Sequence, residues 1–262
     1  MLSESRSRTS PPPAQSPRNL RPLTAVADCL IAVLVAPACA ACDIPLASPT
    51  SGAVCASCWN AIDTFPPPWC ERCGDALPSW RVVSVASATC ARCRRRGSAL
   101  SRARALGPYD GALRRIVQAL KYGRRPTVAR RLAQLLAGAH GDLLSGVELA
   151  VPVPLHRGRH RQRGFNQAEE LARHLGVPWA RVLRRTRATP SQTGLPAARR
   201  HANVRGAFSM RRRTYVDGLC VLLVDDVCTT GATLESCARV LRQAGAREVR
   251  AITAARVAGP GR

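Results

Sequence analysis

The chain reads as an α/β protein, a mostly parallel sheet flanked by helices and preceded by a small cysteine-rich metal module. Three observations predict this. Apolar, strand-like runs at 147–153 (VELAVPV), 219–224 (LCVLLV) and 248–257 (EVRAITAARV) alternate with segments of helical period, which is the pattern of parallel strands joined by helices. The run at 219–224 is continuously apolar, as a strand covered on both faces has to be. Eight of the twelve cysteines form four C-x-x-C pairs within residues 39–93, a spacing of metal knuckles rather than of disulfides.

In chain order, residues 1–22 are dominated by Pro, Ser and Arg without an apolar period, and composition predicts a disordered basic tail. Residues 23–36 (LTAVADCLIAVLVA) are apolar up to Pro37. Arginines upstream and small residues downstream imitate a secretory signal, but Asp28 interrupts the run, and the expected element is a short buried helix leading into the first cysteine pair. The cysteine-rich segment follows, so that 23–97 forms a lead-in helix plus metal module. From 98 to 262 the texture is that of the α/β domain. Gly-Pro-Tyr-Asp-Gly at 107–111 predicts a turn. Leu113, Ile116, Val117 and Leu120 recur at helical spacing, as do Phe165, Ala168, Leu171, Ala172 and Leu175. Further helices are expected over 128–137 and over 232–244, the last ended by Gly245.

Composition narrows the function. Of 262 residues 46 % are apolar, which excludes a wholly disordered chain. No apolar run reaches the roughly 18 residues that a membrane-spanning helix needs, and the chain reads as cytoplasmic. Forty basic residues against sixteen acidic ones leave a net charge of +24, which suits nucleic acid, headgroups or phosphorylated small molecules alike. Lys121 is the only lysine among those forty. That skew points to an arginine-rich coding bias and weakens the charge as evidence for nucleic-acid binding. Aromatics at 4 % leave few rings for base stacking.

The cysteine pairs are Cys39/Cys42, Cys55/Cys58, Cys70/Cys73 and Cys90/Cys93, with loops of twelve residues between the first two pairs and sixteen between the last two. Two knuckles joined by such a loop can close a tetrahedral thiolate shell around Zn²⁺. The simplest arrangement is two sequential ribbons, hence two structural zinc ions. Cross-bracing of the first pair with the third fits the spacing too, and an iron–sulfur cluster is the minor alternative. All-thiolate sites are closed, so their role is structural, and metal would supply much of the segment's folding energy. Arg92, Arg94, Arg95 and Arg96 read equally as a nucleic-acid contact or as a solvated charge run.

The sharpest signal is VLLVDDVCTTGATL, residues 221–234. A buried strand delivers Asp225 and Asp226 to its end, and a short loop then opens a helix. Loop N–H groups and a helix N-terminus together suit an anion, most naturally a phosphate. Gly231 allows close backbone approach, and Thr229, Thr230 and Thr233 add hydroxyl donors. Two carboxylates beside a phosphate cup are there to hold vicinal hydroxyls or to assist a metal ion. Phosphate plus diol describes a ribose 5-phosphate. The pattern is not a Walker loop.

Residues 221–234 resemble the signature by which type I phosphoribosyltransferases bind phosphoribosyl pyrophosphate (PRPP). The wider chain resembles the ComF family, the ComFC-like proteins linked to bacterial competence, through its cysteine ribbons, ALKYGRR (119–125), VPVPLHRGRHRQRGFNQAEELA (151–172) and the stretch from Thr189 to Phe208. The resemblance implies a type I phosphoribosyltransferase-like sheet. It assigns Asp225 and Asp226 to the ribose hydroxyls and to catalysis, and Thr229, Thr230, Gly231, Ala232 and Thr233 to the 5-phosphate. Mg²⁺ would accompany PRPP. Cations are needed for the departing pyrophosphate, and the candidates are Lys121, Arg157, Arg161 and Arg163. Asn166 and Gln167 bind ligand or cap a helix. Gln192, Arg200 and Asn203 lie in a stretch, 187–205, that resembles a mobile closing loop. Two functions are carried forward: phosphoribosyl transfer to an unidentified acceptor, and a non-catalytic PRPP or nucleotide sensor that handles single-stranded DNA for the competence machinery. Purine salvage is weaker, because Thr229 stands where purine enzymes of this fold place an acid, and no glutaminase feature supports an amidotransferase.

Overall fold

A computed structural model of the chain describes residues 21–65, 67–75, 77, 88–95, 97–122, 125, 127–187 and 206–257. Residues 1–20 of the predicted tail (1–22) and the candidates Gln192, Arg200 and Asn203 lie outside them, as do the side chains of Arg92 and Arg157 and all of Arg96; the last two tail residues, Arg21 and Pro22, begin helix α1 (Arg21–Val35).

Four parallel strands form the central sheet in the order β1 (Arg102–Pro108), β6 (Glu248–Arg256), β5 (Cys220–Cys228), β2 (Leu149–Pro152). A separate antiparallel pair, β3 (Leu183–Arg185) and β4 (Phe208–Met210), stands beside it. Helices α4 (Gly111–Tyr122), α5 (Thr127–Ala139) and α8 (Gln167–Arg173) cover one face, and α9 (Ala232–Gln243) covers the other. Between them in sequence stand the short α6 (Gly141–Leu144) and α7 (Arg157–Arg163). The helical spacing at 113–120 corresponds to a face buried throughout, with Ile116, Val117 and Leu120 fully enclosed. The strand at 219–224 is longer than its apolar run and continues through both aspartates to Cys228.

Strand β5 sorts the two cores. Leu222 and Val224 pack with α4, α5 and α8, whereas Val221 and Leu223 pack with α9 and with Phe208 and Leu183 of the small pair. Both outer edges of the sheet are occupied. On β2, Ala150 donates to the Pro178 carbonyl and accepts from Ala180 N. On β1, Ala103 N donates to the Arg72 carbonyl, and the Ala105 carbonyl meets His140 Nε2 at 3.2 Å.

The cysteine-rich segment, with short helices α2 (Ala56–Asn60) and α3 (Ala91–Arg95), is packed onto this sheet. Cys39, Leu46, Val54, Cys58 and Trp59 share one buried cluster with Leu113, Ile116 and Leu120 of α4. The fit is close at two glycines. A Cβ on Gly107 would collide with the Asp63 carbonyl, and one on Gly74, whose φ is +72°, would lie 2.6 Å from the Ala103 carbonyl.

Helix α1 (Arg21–Val35) forms where the apolar run predicts it, but it is not the buried helix that the run implies. Val33, Leu34 and Val35 are 83, 80 and 68 % exposed. Asp28 fastens the helix from its less exposed side by accepting from Thr50 N at 2.8 Å. Apolar composition predicts the helix, but only the tertiary structure shows that, among the described residues, little lies over it. Among the described residues no helix is long and apolar enough to cross a membrane.

Candidate functional site

Each C-x-x-C quartet gathers as the sequential pairing requires. The four Sγ atoms of Cys39, Cys42, Cys55 and Cys58 lie within 4.8 Å of one another, and so do those of Cys70, Cys73, Cys90 and Cys93. Sulfurs about 2.3 Å from one tetrahedral ion sit about 3.8 Å apart, and the separations are 4.0 Å for Cys39–Cys58, 3.8 Å for Cys42–Cys55 and 3.7 Å for Cys73–Cys90. The donor set fits Zn²⁺. One thiol of each quartet, Cys39 and Cys70, is held down toward the thiolate, while its neighbours Cys42, Cys58, Cys73 and Cys93 are raised. The Cys73 thiol and the Cys90 amide bring Cys70 down to about 4 despite its burial. Burial alone would raise Cys39, yet the amides of Cys55, Ala41 and Cys42 lower it to about 6. Burial, with the neighbouring Cys70 charge, pushes Cys93 up to about 12. Four thiols so close cannot all ionise without a cation among them.

At the other centre, the pleat of β5 sends successive side chains to opposite faces. Asp226 shares the side of Leu222 and Val224 and meets two cations there. Lys121 Nζ, at the end of α4, is 3.3 Å from Asp226 Oδ2, and Arg163 Nη1, the last residue of α7, is 3.9 Å away. All three side chains are only 13 % exposed. Tyr109 and Tyr122 back the cations, with ring centroids 5.6 Å from Lys121 Nζ and 5.4 Å from the Arg163 guanidinium.

Asp225 faces the other way. Burial and then the Asp226 charge raise its pKa to about 7, against the pull of Lys121 and Arg185. Its Oδ1 accepts from Asp226 N at 2.9 Å. Arg185 of β3, 5.4 Å from the Phe208 ring, is itself lowered by burial and by Arg159. Cys237 of α9 is raised by burial and by Asp225. After Cys228 the chain turns through Thr229 and Thr230 to Gly231, which caps α9 in the left-handed region at φ 78°. Thr230 Oγ1 accepts from Ala232 N at 3.4 Å and shapes that turn. Thr229, Thr230 and Thr233 stay partly open to solvent.

The remaining candidates separate. Arg163-Gly164-Phe165-Asn166-Gln167 joins two helices: Gly164 ends α7 at φ 80°, and Asn166 caps α8, which Gln167 opens. The Asn166 amide is used at both ends, with Oδ1 accepting from Ala168 N and Nδ2 donating to the Val153 carbonyl. Gln167 is 1 % exposed and accepts from Arg163 Nη1 at 2.9 Å. Arg161 is exposed on α7. Sequence reasoning missed Tyr109, Tyr122 and Arg185. The first lies within the 107–111 turn already marked, and the second directly follows Lys121. Arg185 carries no such signal, because its strand is three residues long.

Comparison with known proteins bears on both centres. The double zinc ribbon domain matches residues 30–94, and the phosphoribosyl transferase domain matches residues 161–260. Competence protein F of Haemophilus influenzae is 31 % identical over 207 residues, 75 % of this chain and 87 % of that protein. DNA utilization protein YhgH of Salmonella typhimurium is 35 % identical over 221 residues, 80 % and 93 % of the two chains. Competence protein ComFC of Bacillus subtilis is 35 % identical over 95 residues, 36 % of this chain and 38 % of that protein. Two sulfur quartets under one match, and the β5–loop–α9 unit under the other, agree with relatives aligned along most of their length: the chain belongs to the ComF family, phosphoribosyltransferase-type proteins with a double zinc ribbon.

Proposed function

We propose that the α/β domain binds PRPP with Mg²⁺ and transfers its phosphoribosyl group to an acceptor. The observation that carries this is the pairing of a strand-borne Asp225–Asp226 with the Thr229–Thr233 loop on one side and with Lys121 and Arg163 on the other. The loop amides and threonine hydroxyls take the 5-phosphate. The carboxylates take the ribose hydroxyls. Oxygen donors of this kind also suit Mg²⁺, which, when bound, neutralises diphosphate charge. In the transfer the bond from the anomeric carbon to the diphosphate oxygen breaks with its electron pair leaving on the diphosphate, and an acceptor lone pair forms the new bond. Lys121 and Arg163, the two cations that meet Asp226, would stabilise that departing charge, since preorganised cations act there at little reorganisation cost. They already neutralise Asp226, so ligand has to exchange partners with them.

Calorimetric titration of PRPP and Mg²⁺ into the full chain tests binding, and pyrophosphate release on adding acceptors tests transfer. Affinity is expected to rise as pH increases through about 7, because Asp225 must lose its proton to serve as a charged acceptor. Asp225→Asn should abolish that step. A flat profile in the parent would remove Asp225 from the ribose contact, and no binding at any pH would end the proposal.

A second reading, a PRPP or nucleotide sensor that handles single-stranded DNA, draws on relatives named for competence and DNA utilization. One feature favours it. Arg211, Arg212 and Arg213 are exposed on the turn after β4, beside Tyr215, which is 82 % exposed. Cations next to an open ring suit single strands. Binding of an oligonucleotide should then weaken steeply with salt. Binding that is unchanged at high salt, or absent at low salt, removes this reading.

A further inference from the structure

Arg256 ends β6 and is only 7 % exposed, yet it does not face the Asp225–Asp226 centre. Its guanidinium joins the second cysteine quartet to the end of β5. Nη1 donates to the Cys73 carbonyl at 2.8 Å and lies 3.6 Å from Cys228 Sγ, while Nε pairs with Asp75 Oδ1 at 2.5 Å. Backbone bonds at the same level tie the end of β6 to β5 and to the 107–111 turn. Val257 N donates to the Cys228 carbonyl at 2.9 Å, and the Arg256 carbonyl accepts from Tyr109 N at 2.7 Å. A cleft of about 170 Å³ has Cys73 and Cys93 on its ribbon side and Cys228, Thr230 and Gly231 on its loop side. The ribbon and the loop therefore share one wall.

A buried guanidinium is stable only while its carboxylate and carbonyl partners stay in place. Asp75 and Cys73 belong to the knuckle that the Cys70/Cys73/Cys90/Cys93 quartet shapes. Cys228 directly precedes the Thr229–Thr233 loop. If the knuckle shifts, Arg256 loses its partners and the end of β5 loses Arg256.

We propose that the second cysteine quartet, when it holds its metal, sets the position of the 229–233 loop through Arg256, so that metal occupancy and ligand binding at the loop are linked. Arg256 is thus a positioning residue: it acts on ligand through Cys228 and the loop. The choice of PRPP as the ligand rests on the proposed function, but the linkage itself has a readout without ligand.

The test uses the full chain with its zinc content measured. Arg256→Met should retain both zinc ions, since it alters no thiolate. Amide hydrogen exchange over 228–234 should nevertheless quicken, while exchange in α4 stays as in the parent. PRPP affinity should fall on the order of tenfold, the usual scale for losing a group that orients a binding residue. Arg256→Lys, which keeps a cation for Asp75, should recover part of both effects. Parent-like exchange over 228–234 in Arg256→Met overturns the linkage. If that variant does not fold, Asp75→Asn removes only the charge partner, and the same exchange measurement decides. If the parent itself does not bind PRPP, the proposed function fails, and the exchange result still decides whether Arg256 positions the loop.

Discussion

Replacing Asp225 and Asp226 together by Asn is expected to weaken PRPP binding a hundredfold or more while leaving the fold intact. Charge-assisted hydrogen bonds are worth about 1.5–3 kcal/mol each, and two of them give roughly two orders of magnitude or more. The single changes should differ, because the strand directs the two groups to different surroundings. Asp226→Asn leaves Lys121 and Arg163 facing an amide, so it removes a ligand acceptor and unbalances two largely buried cations. Asp225→Asn removes an acid whose pKa is raised to about 7 in the folded chain, above its ordinary value near 4. Between those values the folded state holds a proton that the unfolded state has released, so this group costs stability progressively as pH rises from about 4 to 7. Asp225→Asn should therefore weaken binding yet unfold no more easily than the parent at pH 8. Calorimetry with PRPP and Mg²⁺, alongside thermal melts at pH 5 and pH 8, separates the two. If the double variant binds as tightly as the parent, the ribose assignment is wrong.

Removing zinc should have the second large effect, and it should reach beyond the cysteine segment. The purified chain is expected to carry about two zinc ions, one for each quartet. Structural zinc contributes about 10–16 kcal/mol to folding in isolated finger peptides. Here Cys39, Cys58 and Trp59 are buried in the same cluster as Leu113, Ile116 and Leu120, and the Arg131 guanidinium of α5 lies 5.0 Å from the Trp59 ring. Loss of the first ribbon would expose one side of α4. If only about 3 kcal/mol is transmitted in this way, the thermal midpoint should fall by about 6–12 °C. Elemental analysis and calorimetric melts with and without a chelator check both statements. A zinc-free preparation that melts like the parent would contradict them, and visible absorbance from iron would restore the alternative cluster.

Much of this was legible in the residues because the signals are local. The C-x-x-C spacing identifies the quartets, and sequential pairing is what the Sγ separations support. The period in 113–120 and the apolar run before Asp225 identify the elements that carry Lys121 and the aspartates. What escaped depends on distant contacts. Strands β3 and β4 are three residues each, too short to display an alternation. Nothing in DD shows that β5 continues to Cys228 and so turns the two carboxylates to opposite faces. That the Asn166 side chain caps α8 and also donates to the Val153 carbonyl depends on the chain just after β2, thirteen residues away. The exposure of α1 among the described residues is a property of tertiary packing that composition does not encode.

The covered edges of the central sheet restrict how this protein can meet others. Many recognition modules capture an extended peptide by adding it as a further strand, and an uncovered edge also invites self-association. Here the outward groups of Ala150 on β2 are taken by 178–180, and on β1 the Ala103 amide is taken by Arg72 and the Ala105 carbonyl by His140. The ribbon module therefore acts as a border strip along β1. At these positions a further strand has no free backbone group to pair with, so a partner that meets the central sheet there has to use side chains.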